Sequence, residues 1–147
     1  MILLYDTAAL RGLFSIEIRR ADGTLIEAID ESNLIVNGAK DQLARLVGGN
    51  GAGRHITHIG FGVGTSAASP NDTGLTGAFW KAISSVGYPA TGQVAFSWAL
   101  STAEANGMAI TEFGLRCADG TLFARKTRQP IHKSDDLSLT GTWTIIF

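Results

Sequence analysis

The chain has 147 residues, the length of a single domain with a substantial core. Twelve Lys and Arg residues and thirteen Asp and Glu residues give a formal net charge of −1, and the basic residues are scattered. This balance gives no electrostatic basis for binding nucleic acid or an anionic membrane, so we expect neither as a partner. Charged residues make up 17% of the chain and hydrophobic residues 45%, so we expect neighbouring molecules to cover part of the surface.

Residues 1–12 begin with the apolar run Ile2, Leu3, Leu4 and Tyr5, which ends at Asp6. The run lacks a basic segment before it and a cleavage-like end, so it does not have the pattern of a secretory signal. No stretch of the sequence is long enough to cross a bilayer. We predict that residues 1–12 form either an arm that lies on a partner or an edge strand of their own domain, with the four apolar residues as candidate interface residues.

The following segments predict a hairpin, a further strand and one short helix. Alternating apolar residues over Leu13–Arg20 predict a strand that the Asp22-Gly23 turn reverses, and Asn33–Val36 is typical of another. In Ala39–Val47 the apolar residues recur at helical spacing, which predicts a short amphipathic helix with Asn37 as its N-cap.

The middle of the chain predicts a glycine-rich strand, a long loop and two more strands. In Ile56–Val63, the glycines at 60, 62 and 64 would leave one face bare for close approach of another group. Thr65–Gly77 is predicted to be an exposed excursion. We then expect strands over Ala78–Tyr88, up to the Pro89 turn, and over Gln93–Leu100.

The clearest hairpin in the sequence is Ile110–Lys126, in which Asp119-Gly120 is predicted to form a two-residue type I′ turn. Residues 118–122 repeat residues 21–25 letter for letter, so we expect Asp22 and Gly23 to form the same structural turn. Pro130 predicts an edge or loop over Thr127–Asp136. The closing Leu137–Phe147 alternates as a strand to its last residue.

Together these segments predict a mainly β fold: an antiparallel β-sandwich of about eight strands with one short α-helix, formed by residues 13–147 as a single domain. A partly closed barrel is the alternative. The lone Cys117 cannot form an internal disulfide, so a buried or interfacial free thiol is expected.

The sequence contains no arrangement typical of catalysis or of cofactor or metal binding. Gly60–Gly64 lacks the spacing of a phosphate-binding loop, and no helix follows it. His55 and His58 would point to opposite faces of a strand, so they could not hold one metal ion together. His132 and Cys117 lie in other segments and do not have the spacing of metal ligands. The acids, among them the pairs Asp135-Asp136 and Glu104 with Glu112, do not predict paired catalytic carboxylates. We therefore expect no catalytic residues, cofactor or metal.

The three tryptophans divide into two groups. Trp98 and Trp143 lie on the apolar phase of alternating strands and are predicted to be core residues. Trp80 follows the polar Thr65–Gly77 loop, and we expect it in an interface or, alternatively, in a sugar-stacking platform.

Several motifs together resemble small structural proteins of tailed bacteriophages. They are Asn33–Gly38 before the short helix, Ile56–Thr65, Glu104–Gly107, Ile110–Leu115, Ala118–Arg125 and Leu137–Ile145. The resemblance covers roughly residues 14–147. Over this range the chain is similar to β-rich attachment domains of the tail fibre, baseplate, neck or collar.

The resemblance implies a non-enzymatic virion component that acts as an assembly or attachment module at the tail. Its partners would be other virion proteins and further copies of itself, and it would be located in the virion after assembly in the host cytoplasm. The alternative is a carbohydrate-binding host-recognition module that uses Trp80 and the loop before it.

Overall fold

A computed structural model describes residues 10–147, which form nine strands and one helix. The prediction of a mainly β, antiparallel fold with one short helix is confirmed, although the strands number nine where about eight were expected. In chain order the elements are β1 (Arg11–Arg20), β2 (Leu25–Ile35), α1 (Asn37–Val47), β3 (Ile56–Gly62), β4 (Phe79–Ala82), β5 (Ser85–Gly87), β6 (Gln93–Leu100), β7 (Ala109–Cys117), β8 (Leu122–His132) and β9 (Leu137–Ile146).

All nine strands belong to one antiparallel sheet that curls into a half-barrel, with the order β4-β3-β7-β8-β2-β1-β9-β6-β5. The two edge strands, β4 and β5, are neighbours in sequence. Between them the Ile83 amide donates to the Thr57 carbonyl of β3, and the Ser84 amide donates to the Ser97 carbonyl of β6. The prediction of one strand over Ala78–Tyr88 is therefore wrong, because the chain passes from one edge of the sheet to the other at these two residues.

The inner face of the curled sheet holds an aromatic core. Phe14 of β1 lies 4.7 Å from Phe113 of β7 between ring centroids, and Phe61 of β3 lies 5.3 Å from Trp98 of β6. These contacts join strands from the two halves of the sheet, and the Trp98 ring also lies over Gly141 of β9. Trp98 and Trp143 are 2% and 0% exposed, which confirms the prediction that both are core residues.

The two Asp-Gly hairpins form where the sequence predicts them, but with a different turn. At the second, the Gly120 amide donates to the Cys117 carbonyl and the Cys117 amide donates to the Thr121 carbonyl, and the first hairpin repeats this pattern. Gly23 and Gly120 have φ of +90° and +92°, whereas Asp22 and Asp119 do not have positive φ. The loops are therefore three residues long with a glycine bulge, and the type I′ prediction is wrong.

Asp22 and Asp119 stabilise these loops through their side chains. Each carboxylate accepts a hydrogen bond from the amide two residues later, at 2.9 Å from Thr24 and 3.0 Å from Thr121. This side-chain bond is the usual reason for an aspartate in a turn. This hydrogen bond explains why an aspartate precedes the glycine in both turns, although the aspartate itself does not have a positive φ.

Helix α1 begins at Asn37, two residues before the predicted Ala39, and its N-cap lies one residue earlier than predicted. Val36 is the N-cap and makes no side-chain capping bond, so the assignment of Asn37 as the cap is wrong. The Asn37 amide instead donates to the Pro70 carbonyl, and its side chain donates to Asn71. Only Ala39 and Gln42 of the helix are buried. The apolar residues Leu46 and Val47 are exposed.

Strand β8 extends through much of the segment predicted to be an edge or loop. It runs to His132 and includes Pro130, which lies where the pairing of β7 with β8 shifts between Ile110 and Glu112. Strand β2 pairs with β8 only at Arg125 and Ala124, so this end of β8 has a partner on one side only. The proline is tolerated because the position is a bulge at a locally open edge.

The central hairpin provides a test of the turn geometry. Gly120→Val places a β-branched residue at φ +92° in open space, so only backbone strain is added, and it should cost about 1–3 kcal/mol of unfolding free energy. The matched control is Gly87→Val, where a side chain also meets nothing within 4 Å and φ is not positive. Urea unfolding of both variants measures the difference. Equal stabilities would contradict the turn assignment.

Candidate functional site

An apolar groove of about 690 Å³ opens where the half-barrel fails to close. On one side it is bounded by α1, through Leu43 and Leu46, and by the residues that lead into β3. On the other side it is bounded by β5 and the connection from β5 to β6. Phe96, Phe123 and Ile145 of the inner sheet face form its floor. The groove is therefore a solvent-open continuation of the hydrophobic core.

Core-facing side chains at this groove are left uncovered. Val86 pairs with the buried Phe96 and so points to the inner face, yet it is 49% exposed. Phe147 follows the buried Ile145 by two residues and is 59% exposed. Tyr88, two residues beyond Val86, is 79% exposed. Large apolar groups on the phase that faces the core are normally buried, so this surface is suited to covering by another molecule.

The groove also has an open main-chain edge. Within residues 10–147, β5 pairs with β6 and with no other strand. Val86 of β5 lines the groove together with His55 and Ile56. An open strand edge next to apolar pockets is the arrangement that accepts an added strand, because main-chain hydrogen bonds and side-chain burial then act together.

A second feature lies on the outer face of the sheet, where the loop between β3 and β4 is held down. Arg125 of β8 donates through Nε to Glu112 at 2.9 Å and through one terminal nitrogen to Asp72 at 2.9 Å. Its other terminal nitrogen donates to the Ser66 carbonyl at 3.0 Å. The side chains of Arg125 and Glu112 are 3% and 1% exposed. Arg125 therefore anchors a loop of otherwise exposed residues to the sheet.

Glycines make room for this buried ion pair. Side-chain atoms at Gly62 or Gly64 would meet the Glu112 carboxylate at 2.5 Å, and the Gly64 and Thr76 amides donate to that carboxylate at 2.6 and 2.8 Å. The prediction that these glycines permit close approach is confirmed. Sequence reasoning missed Arg125 and Asp72, because Arg125 begins a polar run with Lys126 and Arg128 that gives no sign of burial.

The contacts between Asp72 and Arg125 shift the pKa of both groups. Burial alone would raise the pKa of Asp72, but the Ser69 amide and the Arg125 guanidinium together hold it below the ordinary value. Burial likewise opposes the charge of Arg125, yet hydrogen bonds to Asp72 and Glu112 raise its pKa. Asp72 and Arg125 are therefore both charged at neutral pH and form an ion pair.

A third feature of the structure is a polar cluster that joins α1 to the central hairpin. Gln42 donates to both Asp119 carboxylate oxygens at 2.9 and 3.0 Å and accepts from Arg54 at 2.8 Å. Cys117 is a buried free thiol beside them, which confirms one of the two predicted alternatives, and burial raises its pKa. A thiol of this kind is a weak nucleophile.

The predicted interface residues have different outcomes. Ile2, Leu3, Leu4 and Tyr5 lie outside the described residues. Trp80 lies against Gly60, with the Arg116 guanidinium 4.2 Å from its ring centroid. Both contacts occupy the indole, so its placement does not favour a free sugar-stacking platform.

The structure does not bring the other candidate residues together. His55 and His132 are exposed and His58 is half-buried, and no three His, Cys, Asp or Glu side chains cluster anywhere in residues 10–147. Glu104 pairs with Lys81 at 2.7 Å, whereas Glu112 pairs with Arg125. Asp136 pairs with Arg20 at 3.0 Å. Over the same residues, no helix has the length and apolar character needed to cross a membrane.

Because Arg125 anchors the loop through a buried ion pair, removing one partner of that pair should strongly lower the free energy of unfolding. Arg125→Met leaves the Glu112 carboxylate buried without its cation and should lower the unfolding free energy by about 3–5 kcal/mol. Arg20→Met breaks a pair whose two side chains are about half exposed, and should cost about 0–1 kcal/mol. Adding Glu112→Gln to Arg125→Met should restore part of the loss. Chemical denaturation measures all three, and similar values for the two single variants would contradict the anchor.

The low pKa of Asp72 predicts a pH dependence. A carboxylate with a folded pKa below its unfolded value contributes stability above the ordinary value of 3.8, and the contribution is lost as the pH falls through the folded pKa. Wild-type stability should therefore fall more steeply than that of Asp72→Asn below about pH 4. Urea unfolding from about pH 3 to pH 7 measures both profiles. Parallel profiles would show that Asp72 is not held in the pair.

Comparisons with protein-family models, curated proteins and solved structures found no match. The candidate site is therefore defined by its own geometry. It consists of an apolar groove bordered by an open strand edge, in a sheet whose longest loop is anchored by a buried ion pair.

Proposed function

We propose that this protein is a non-enzymatic structural component of a tailed-bacteriophage virion, acting as an assembly or attachment module at the tail. The resemblance of its sequence motifs supports the kind of particle. The apolar groove supports the mode of action, and it is the observation on which the proposal rests. In this proposal the two halves of the curled sheet act as the layers of a β-sandwich that present the groove at one end.

Leaving the groove open to water is energetically unfavourable. Val86, Tyr88 and Phe147 expose apolar surface on the inner side of the fold, and covering such surface contributes roughly 25 cal/mol per Å². A protein that works in a permanent assembly can keep this surface because a neighbour covers it. The partners are other virion proteins and further copies of the chain.

The proposal is tested on phage particles released by a host that carries the gene. Gradient-purified particles should contain the chain at a fixed ratio to the other structural proteins, measured by quantitative mass spectrometry. Tyr88→Asp places a charge in the groove and should lower incorporation at least tenfold, because desolvating the carboxylate opposes docking.

The matched control is Ile26→Asp, which changes a residue 47% exposed in β2, near the first Asp-Gly turn and away from the groove. It should incorporate as the wild type does. Absence of the chain from purified particles would overturn the proposed function. Equal incorporation of the two variants would show that the groove is not the docking surface.

A further inference from the structure

We infer that Lys133 and Asn106 form a covalent crosslink within one chain. The crosslink is an isopeptide bond between the Lys133 Nζ and the Asn106 side-chain carbonyl carbon, and it forms with release of ammonia. It joins the loop between β6 and β7 to the residue that follows β8. Because both residues belong to the same chain, the reaction does not depend on the apolar groove or on a partner.

Lys133 is a buried cation without an anionic partner. The residue is 2% exposed, and its ammonium donates to the Asn106 Oδ1 at 2.8 Å and to the Ser134 carbonyl at 3.0 Å. Both acceptors are neutral, and Lys133 makes no salt bridge to any carboxylate in residues 10–147. Lysine is almost never fully buried unless it is paired, so the burial of Lys133 requires a reason other than packing.

Burial also makes the Lys133 amine more reactive. Desolvation lowers the pKa of Lys133 below its ordinary value, although the charges of Glu104 and Asp135 oppose the shift. A lower pKa increases the fraction of neutral amine. The neutral amine is the nucleophile, as in other lysines that burial activates.

The Asn106 side chain is held with its carbonyl toward this amine. Its Nδ2 donates to the Thr102 carbonyl at 2.9 Å, while its Oδ1 accepts from Lys133. The main chain fixes the same pair, because the Gly107 amide donates to the Lys133 carbonyl and the Lys133 amide donates to the Met108 carbonyl, each at 2.9 Å. The two side chains are therefore positioned from both ends.

The loop that carries Asn106 has a strained backbone. Ala105 has φ of +55°, a region that residues other than glycine rarely adopt. Strain of this kind persists only where the surroundings hold it, and it clusters at functional sites. The hydrogen bonds of Asn106 and Gly107 to neighbouring residues help to hold the loop in this form.

The reacting atoms are already close together. The Asn106 carbonyl carbon lies one C=O bond beyond Oδ1, so it is no more than about 4 Å from the Lys133 Nζ. Atoms about 3–3.5 Å apart are in near-attack geometry. A small movement of the end of the lysine side chain therefore brings the amine to the carbonyl carbon.

The reaction needs no oxidant, reductant or further reactant. The lone pair of the neutral Lys133 amine forms the new bond to the Asn106 carbonyl carbon, and the bond from that carbon to Nδ2 breaks. One amine proton moves to the departing nitrogen, which leaves as ammonia. Asn106 is exposed, so the ammonia can pass into water.

The crosslink would close a loop in the chain around the hairpin of β7 and β8. Residues 106 and 133 are 27 positions apart, and this hairpin lies in the interior of the sheet order. A covalent link of this kind stabilises a fold mainly by constraining the unfolded chain. The bond would thus hold together the central strands of the sheet.

Intact mass spectrometry of the denatured, full-length protein tests the inference. The wild type should be lighter than its sequence mass by one ammonia molecule. Tryptic digestion should give a branched peptide that contains residues 106 and 133, without cleavage after Lys133. A wild-type mass equal to the sequence mass, both after purification and after prolonged warm incubation, overturns the inference.

Variants assign the loss of ammonia to the two residues. Lys133→Arg and Asn106→Ser should each have the full mass of their own sequence. The matched control is Lys126→Arg, which replaces a lysine paired with Glu31 and should keep the loss of ammonia. The mass and the peptide map of the wild type are decisive even where a variant does not fold.

A succinimide at Asn106 is the alternative product with the same mass. It forms when the Gly107 amide nitrogen attacks the Asn106 side chain, but this amide donates to the Lys133 carbonyl at 2.9 Å. A succinimide would keep the loss of ammonia in Lys133→Arg and would give no branched peptide, and this outcome overturns the inference. Incorporation into phage particles is measured separately, so the proposed function stands or fails independently of the crosslink.

Discussion

The passage of the chain from one sheet edge to the other at Ile83 and Ser84 is the constraint on which the rest of the fold depends. Two main-chain hydrogen bonds, to Thr57 and to Ser97, connect the opposite edges of a nine-stranded sheet over two residues. Only a strongly curled sheet can satisfy both. The curl brings Phe14 and Phe113, from strands far apart in the sheet order, into contact and so creates the aromatic core.

The same constraint explains the groove. Because β4 stays with β3 while β5 leaves with β6, the two edges separate beyond Ile83. The inner face is then open on the side of α1, and Val86 and Phe147 stay exposed there. Core formation and an uncovered apolar surface are thus two results of one chain path. This link gives the groove a structural origin.

The outer face depends on a different kind of interaction. Glycines at 62 and 64 leave space that the Glu112 carboxylate fills, and Arg125 neutralises that charge while reaching Asp72 and the Ser66 carbonyl. A buried pair of this sort contributes little net stability compared with apolar packing, but it fixes one arrangement because any other leaves a charge unpaired. The loop after β3 is consequently held close to the sheet despite its polar, exposed composition.

The sequence by itself determined the features that depend on near neighbours in the chain. Alternation located the strands that contain Trp98 and Trp143, the Asp-Gly pairs located both hairpins, and the glycine row indicated close approach on β3. Only the tertiary structure decided the three-residue turn type, the split of residues 79–87 into two strands, and the partners of Arg125. Arg125 and Asp72 are 53 residues apart, and the uncovered Val86 depends on strands from distant parts of the chain. Sequence periodicity predicts which face of the sheet a side chain occupies, whereas the curl of the whole sheet decides which residues pack against that face.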